Sequence, residues 1–175
     1  FSTLTLTGGV AKATTSTTLA NRMNLVVDDC GTAGDFVQVV TNYDGGATAH
    51  TMSGTIAVKR GTLRVEDKVT FANVTGVDVF ADGALELGSA AVFGTTANVK
   101  KTGLTLRVAP EATVTVDDGL TVNVHRCWIG EEGLRAGDYT GEGGPSTATV
   151  LPQLSGTGIL HVGRSSGQGL ILMVR

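Results

Sequence analysis

Between residues 54 and 124 apolar and polar residues alternate in short runs: Thr-Ile-Ala-Val at 55–58, Thr-Leu-Arg-Val at 62–65, Val-Asp-Val-Phe at 77–80, Ala-Leu-Glu-Leu at 84–87, Thr-Leu-Arg-Val at 105–108, Thr-Val-Thr-Val at 113–116 and Thr-Val-Asn-Val at 121–124. Alternation with a period of two is the mark of a strand with one face buried. Gly or Asp-Gly introduces several of the runs, as at Gly54, Gly61, Gly76 and Asp82-Gly83. The runs also keep a longer period, because Gly54 to Gly76, Leu63 to Leu85, Phe71 to Phe93 and Val92 to Val114 are each 22 residues apart, and Leu85 to Leu106 is 21. That spacing is one turn of a stacked-strand repeat, and it predicts an all-β chain folded as a single-stranded parallel β-helix, a β-solenoid with coils of about 22 residues. Stacking at that period puts Leu63/Val65, Leu85/Leu87 and Leu106/Val108 in common inward layers and Arg64, Glu86 and Arg107 in one outward column of alternating charge.

The ends are less regular. Leu4 to Leu25 and Leu6 to Val27 are 21 residues apart, which predicts an early coil interrupted by loops at 8–22 and 42–53. From Cys127 the pattern breaks, with the sole Trp at 128, Tyr139, and a Gly-rich stretch at 141–147 that reads as a flexible link. Two further strands are expected at 158–162 and 169–174. The division is a single domain with irregular early coils over 1–53, regular coils over 54–126 and a capping segment over 127–175, since repeat stacks need atypical ends.

Composition narrows this in one direction. Thr, Gly and Val supply 26, 25 and 22 of the 175 residues, whereas three prolines and eight aromatics are present. β-Branched residues and glycine are poor helix formers, so a mainly helical domain is excluded and the core is expected to be aliphatic. Charged residues make up 17%, below the roughly 25% of ordinary domains. Net charge is −3, and basic residues run no further than the pairs Lys59-Arg60 and Lys100-Lys101, so no nucleic-acid partner is expected. The run 169–174 is far short of the ~20 apolar residues of a spanning helix, so no membrane insertion is expected either. The N-terminal Phe1-Ser2-Thr3-Leu4-Thr5-Leu6-Thr7 lacks the basic-then-apolar order of a signal peptide.

The runs Gly61-Thr-Leu-Arg-Val65, Val77-Asp-Val-Phe-Ala-Asp-Gly-Ala-Leu-Glu-Leu87 and Ser155-Gly-Thr-Gly-Ile-Leu-His-Val162 resemble the repeats of autotransporter-type passenger domains and related β-helical surface proteins of bacteria. Gly133-Leu-Arg-Ala-Gly-Asp-Tyr-Thr140, followed by Leu154-Ser-Gly-Thr-Gly-Ile-Leu-His-Val162, is similar to the closing segment of such regions. The resemblance covers about residues 54–163. It implies a right-handed parallel β-helix outside the cell, engaged in adhesion, scaffolding or self-association.

Signals for chemistry are weak. His50, His125 and His161 are far apart and match no zinc spacing, and no nucleotide loop or serine elbow is present. Asp28-Asp29 and Asp117-Asp118 could hold Ca²⁺ as in lyases on parallel β-helices, but Asp117-Asp118-Gly119 is also a plain turn signature. Among Asp28, Asp29, Asp44, Glu66, Asp82 and Glu111 no pair stands out as a glycosidase dyad. Cys30 and Cys127 are the two cysteines; about four coils would separate them by ~19 Å, against the ~7 Å a bridge tolerates. They are therefore free, joined through a loop that folds back, or joined between molecules. Trp128, Tyr139 and Tyr43 are candidates for a sugar-stacking platform. The expectation is a non-enzymatic extracellular structural protein or adhesin at the bacterial surface, without cofactor or metal, self-associating head to tail into a filament. The alternative is a carbohydrate-binding or polysaccharide-lyase-like module taking a cell-surface glycan.

Overall fold

The computed structural model describes residues 1–7, 12–14, 19–28, 37–40 and 47–164. Its elements in chain order are β1 (Ser2–Leu6), β2 (Lys12–Thr14), β3 (Met23–Asp28), β4 (Val37–Val40), β5 (Thr48–Ala49), β6 (Thr55–Val65), β7 (Val69–Thr70) and β8 (Gly76–Leu87). A short helix α1 (Thr96–Thr102) follows, then β9 (Thr105–Val108), β10 (Thr113–Val116), β11 (Thr121–Val124), β12 (Arg126–Ile129), β13 (Glu132–Gly133), β14 (Gly137–Thr140), β15 (Thr149–Val150), β16 (Leu154–Ser155) and β17 (Ile159–Val162). The protein is all-β.

Alternation sets which side chains share a layer. Parallel pairing aligns Leu4, Leu25, Ile56, Val77, Leu106 and Cys127 across β1, β3, β6, β8, β9 and β12. Two residues on, Leu6, Val27, Val58, Val79, Val108 and Ile129 form a second aligned set. The second halves of β6 and β8 align Leu63 with Leu85, then with Val114 on β10 and Leu154 on β16. Nearly all of these residues are buried, so the core is made of aliphatic layers, with Phe71 and Phe93 among its few aromatics. At ~25 cal/mol per Å² of apolar surface, each fully buried Val or Leu contributes about 1.5–3 kcal/mol before the entropy of ordering it is subtracted.

The expected early register is present, with Leu4 opposite Leu25 and Leu6 opposite Val27. The expected inward set Leu63/Leu85/Leu106 is not. Leu106 lies opposite Val77, and Val114 takes the place beside Leu85. The outward column is likewise Arg64, Glu86, Thr115, while Arg107 sits beside Asp78. The cause is α1. Paired residues are 21 apart from Ile56 to Val77 and 29 apart from Val77 to Leu106, and α1 has seven residues. Its insertion delays the chain's return to the sheet, so β9 meets the first half of β8 and β10 the second. The helix is defined at both ends: the Thr95 side chain accepts from the Asn98 amide, Asn98 answers the Thr95 amide, and Gly103 closes the last turn at φ 68°.

The sheets are also mixed rather than uniformly parallel. β13 turns back on β12, and β14 runs antiparallel to β17. The stretch 141–147, expected to be a flexible link, is instead packed at its start: Gly141 is buried, and a Cβ there would lie 2.7 Å from the Gly156 carbonyl oxygen. The strand expected at 169–174 lies outside the described residues.

Candidate functional site

Three segments converge on one cleft of about 250 Å³. On α1, Val99 is buried against the body, and the next residue, Lys100, is exposed in the last turn. On β11, Val122 and Val124 point into the core, which leaves Asn123 and the following His125 half-buried on the outer side. β17 repeats this with Leu160 and Val162 inward and His161 outward, and parallel pairing sets His161 beside Asn123. Two backbone bonds carry the register past the strand ends, Gly163 N–H to the Val124 carbonyl and Arg164 N–H to the His125 carbonyl, both 2.9 Å. The Thr96 hydroxyl reaches Asn123 Oδ1 at 3.4 Å and ties the helix over β11. Val99 and Val124 form the apolar part of the cleft, and Lys100, His125, His161 and Arg164 its basic part.

The electrostatics are one-sided. Among the described residues no carboxylate lines the cleft. His161 Nδ1 lies 2.6 Å from Asp138 Oδ1, its antiparallel neighbour on β14. Burial and then the nearby charges of Arg126, Arg164 and Lys100 hold His125 below the usual imidazole value. The arrangement suits an anion better than a metal ion.

The residues singled out in the sequence are otherwise dispersed. Cys127 is fully buried opposite Leu106, and burial pushes its thiol up to about 12. Cys30 and Tyr43 lie outside the described residues. Tyr139 is buried, its hydroxyl donating to the Arg135 carbonyl at 2.9 Å, so its ring is not offered to a sugar. Trp128 is half-buried on the outer face of β12 beside Arg107.

The carboxylates are engaged within the fold. Asp28 pairs with Arg60 at 2.7 Å, and Asp82 is opposite the same arginine. Asp117 takes both arms of Arg64 at 2.9 and 2.6 Å, with Glu86 and Glu66 at 3.5 and 3.7 Å from the same guanidinium. Asp118 accepts from the Thr157 amide and hydroxyl, which hold its carboxyl below the ordinary value. Glu111 is exposed, and Asp29 and Asp44 lie outside the described residues. Among the described residues no group of three or more His, Cys, Asp or Glu is placed to hold a metal ion. Sequence reasoning missed the cleft because Lys100, His125 and Arg164 are 25 and 39 residues apart; the available signal was the matched runs Val-Asn-Val-His and Leu-His-Val-Gly-Arg, each with polar residues alternating outward.

No protein-family model matches the chain, and no curated protein and no solved structure is similar to it.

Proposed function

We propose that this chain is a non-enzymatic structural protein or adhesin of the bacterial cell exterior, built as a parallel β-helix and associating with a second copy through the edge of β1. The observation that carries the reading is the aligned set from Leu4 to Cys127, which ends at an edge strand with no strand beyond it among the described residues. The Ser2 amide donates to the Arg22 carbonyl at 2.9 Å, on the β3 side. Successive amides along a strand point to opposite sides, so those of Thr3 and Thr5 face away from β3, where no strand lies among the described residues. Leu4 and Leu6 on the same strand are only half-buried, and the neighbouring Phe1 is 73% exposed. The Thr- and Gly-rich repeats and low charge support a scaffold outside the cell, as does the resemblance to passenger-domain repeats.

The other end favours closure over growth. β13, β15 and β16 are two residues each, and very short edge strands are a common way to blunt an edge. A filament built head to tail would need that end to pair. Two β1 edges meeting across a twofold axis form a closed interface without it. Sedimentation equilibrium tests this: the mass should climb from 17.9 kDa toward twice that value with concentration, and T3P/T5P, which removes the two outward donors, should stay at 17.9 kDa. A wild type that remains at the monomer mass, or a variant that associates equally, contradicts the proposal.

A further inference from the structure

The cleft beside α1 concentrates positive charge in a protein whose net charge is −3. Lys100 and Arg164 are fixed cations, and His125 stands with them; each comes from a different segment. Like charges held in one concavity repel, and the depressed basicity of His125 records that repulsion together with its burial. His161 differs, because Asp138 on β14 already faces it. The cleft therefore carries cations that no carboxylate among the described residues faces from its lining.

Size and lining narrow the ligand. At about 250 Å³ the space is larger than an inorganic anion fills and below the range of drug-sized pockets, so it suits one ring. Thr96 and Asn123 offer a hydroxyl and an amide for the polar edge of such a ring, while Val99 and Val124, only 2% and 1% exposed, form the floor beneath it. Arginine and lysine are the usual partners of carboxylate and sulfate groups. We propose that this cleft binds a single acidic sugar residue, a hexose ring bearing a carboxylate or a sulfate, with Lys100 and Arg164 on the anionic group and Asn123 and Thr96 on ring hydroxyls. None of these residues belongs to β1, so this site and association through the β1 edge can fail separately.

The test is an NMR titration of the intact protein with galacturonic acid and glucose 6-sulfate, compared with neutral galactose and inorganic sulfate. Saturable shifts are expected at the amides of Asn123, His125 and Gly163 with either acidic sugar, and binding of galactose and of sulfate should be at least tenfold weaker. K100E changes an exposed helix position and should weaken acidic-sugar binding tenfold or more; K59E, outside the cleft, should leave it unchanged. Arg164→Gln gives a second, independent loss. The imidazole of His125 should also titrate higher in the complex, because a bound anion offsets the charges of Lys100 on α1, Arg126 on β12 and Arg164 after β17, while Asp138 stays with His161. Sulfate or galactose binding as tightly as the acidic sugars, or K100E binding as tightly as wild type, overturns the proposal.

Discussion

The imidazole of His50 lies stacked on Phe71, with ring centroids 4.5 Å apart and planes 15° from parallel. Its Nδ1 accepts the Leu19 amide at 3.0 Å, so the proton of the neutral ring sits on Nε2, which has no partner among the described residues. Charging this ring puts a cation into the core and removes the acceptor from Leu19. Burial accordingly lowers its affinity for a proton below that of an ordinary imidazole. The unfolded chain then binds the proton more readily than the folded one, so stability is complete above pH 6.5 and declines as the pH falls below it. Urea melts between pH 8 and 5 should show that decline, and His50→Gln should lessen it, leaving the part that His125 contributes. At pH 8, His50→Ala should cost about 2–4 kcal/mol, because it leaves a cavity under Phe71 and a buried amide without its acceptor. A wild type equally stable at pH 8 and pH 5 would contradict the neutral buried imidazole.

At the scale of elements, α1 decides the register of everything after it. Removing residues 96–102 returns the spacing from Val77 to Leu106 to 22, close to the 21 that separates Ile56 from Val77. The shortened chain should therefore keep its β-type circular dichroism and a cooperative melt, losing about 1.5–3 kcal/mol with the buried Val99. Loss of the cooperative transition would mean that the helix supports the stack rather than interrupting it. The same element marks the boundary of what the sequence reveals. Leu4 opposite Leu25 and Leu63 opposite Leu85 are legible because alternation and spacing agree there. Leu106 is misplaced by the same logic, because a seven-residue helix with one buried residue leaves no apolar periodicity to detect. Its capping residues Thr95 and Asn98 and its closing Gly103 do not stand out in a chain so rich in Thr and Gly. The cleft was illegible for a related reason: its cations come from three segments that only the pairing of β11 with β17 and the docking of α1 bring together.

At the scale of the whole molecule, the two ends differ. One finishes on β1, with five residues in unbroken register with β3, and the other, among the described residues, on the two-residue strands β13, β15 and β16. A stack whose layers run from Leu4 to Cys127 has its most readily extended surface where those layers reach an edge with no further strand among the described residues. This asymmetry is the physical basis for assigning association to β1 and for expecting a pair rather than a fibre. Amide hydrogen exchange measured across a range of protein concentration tests that claim most directly. The account predicts that the Thr3 and Thr5 amides exchange at least tenfold more slowly at high concentration than at low, while those of Thr149 and Val150 are unchanged. Exchange at Thr3 and Thr5 that is equally fast at every concentration would contradict it.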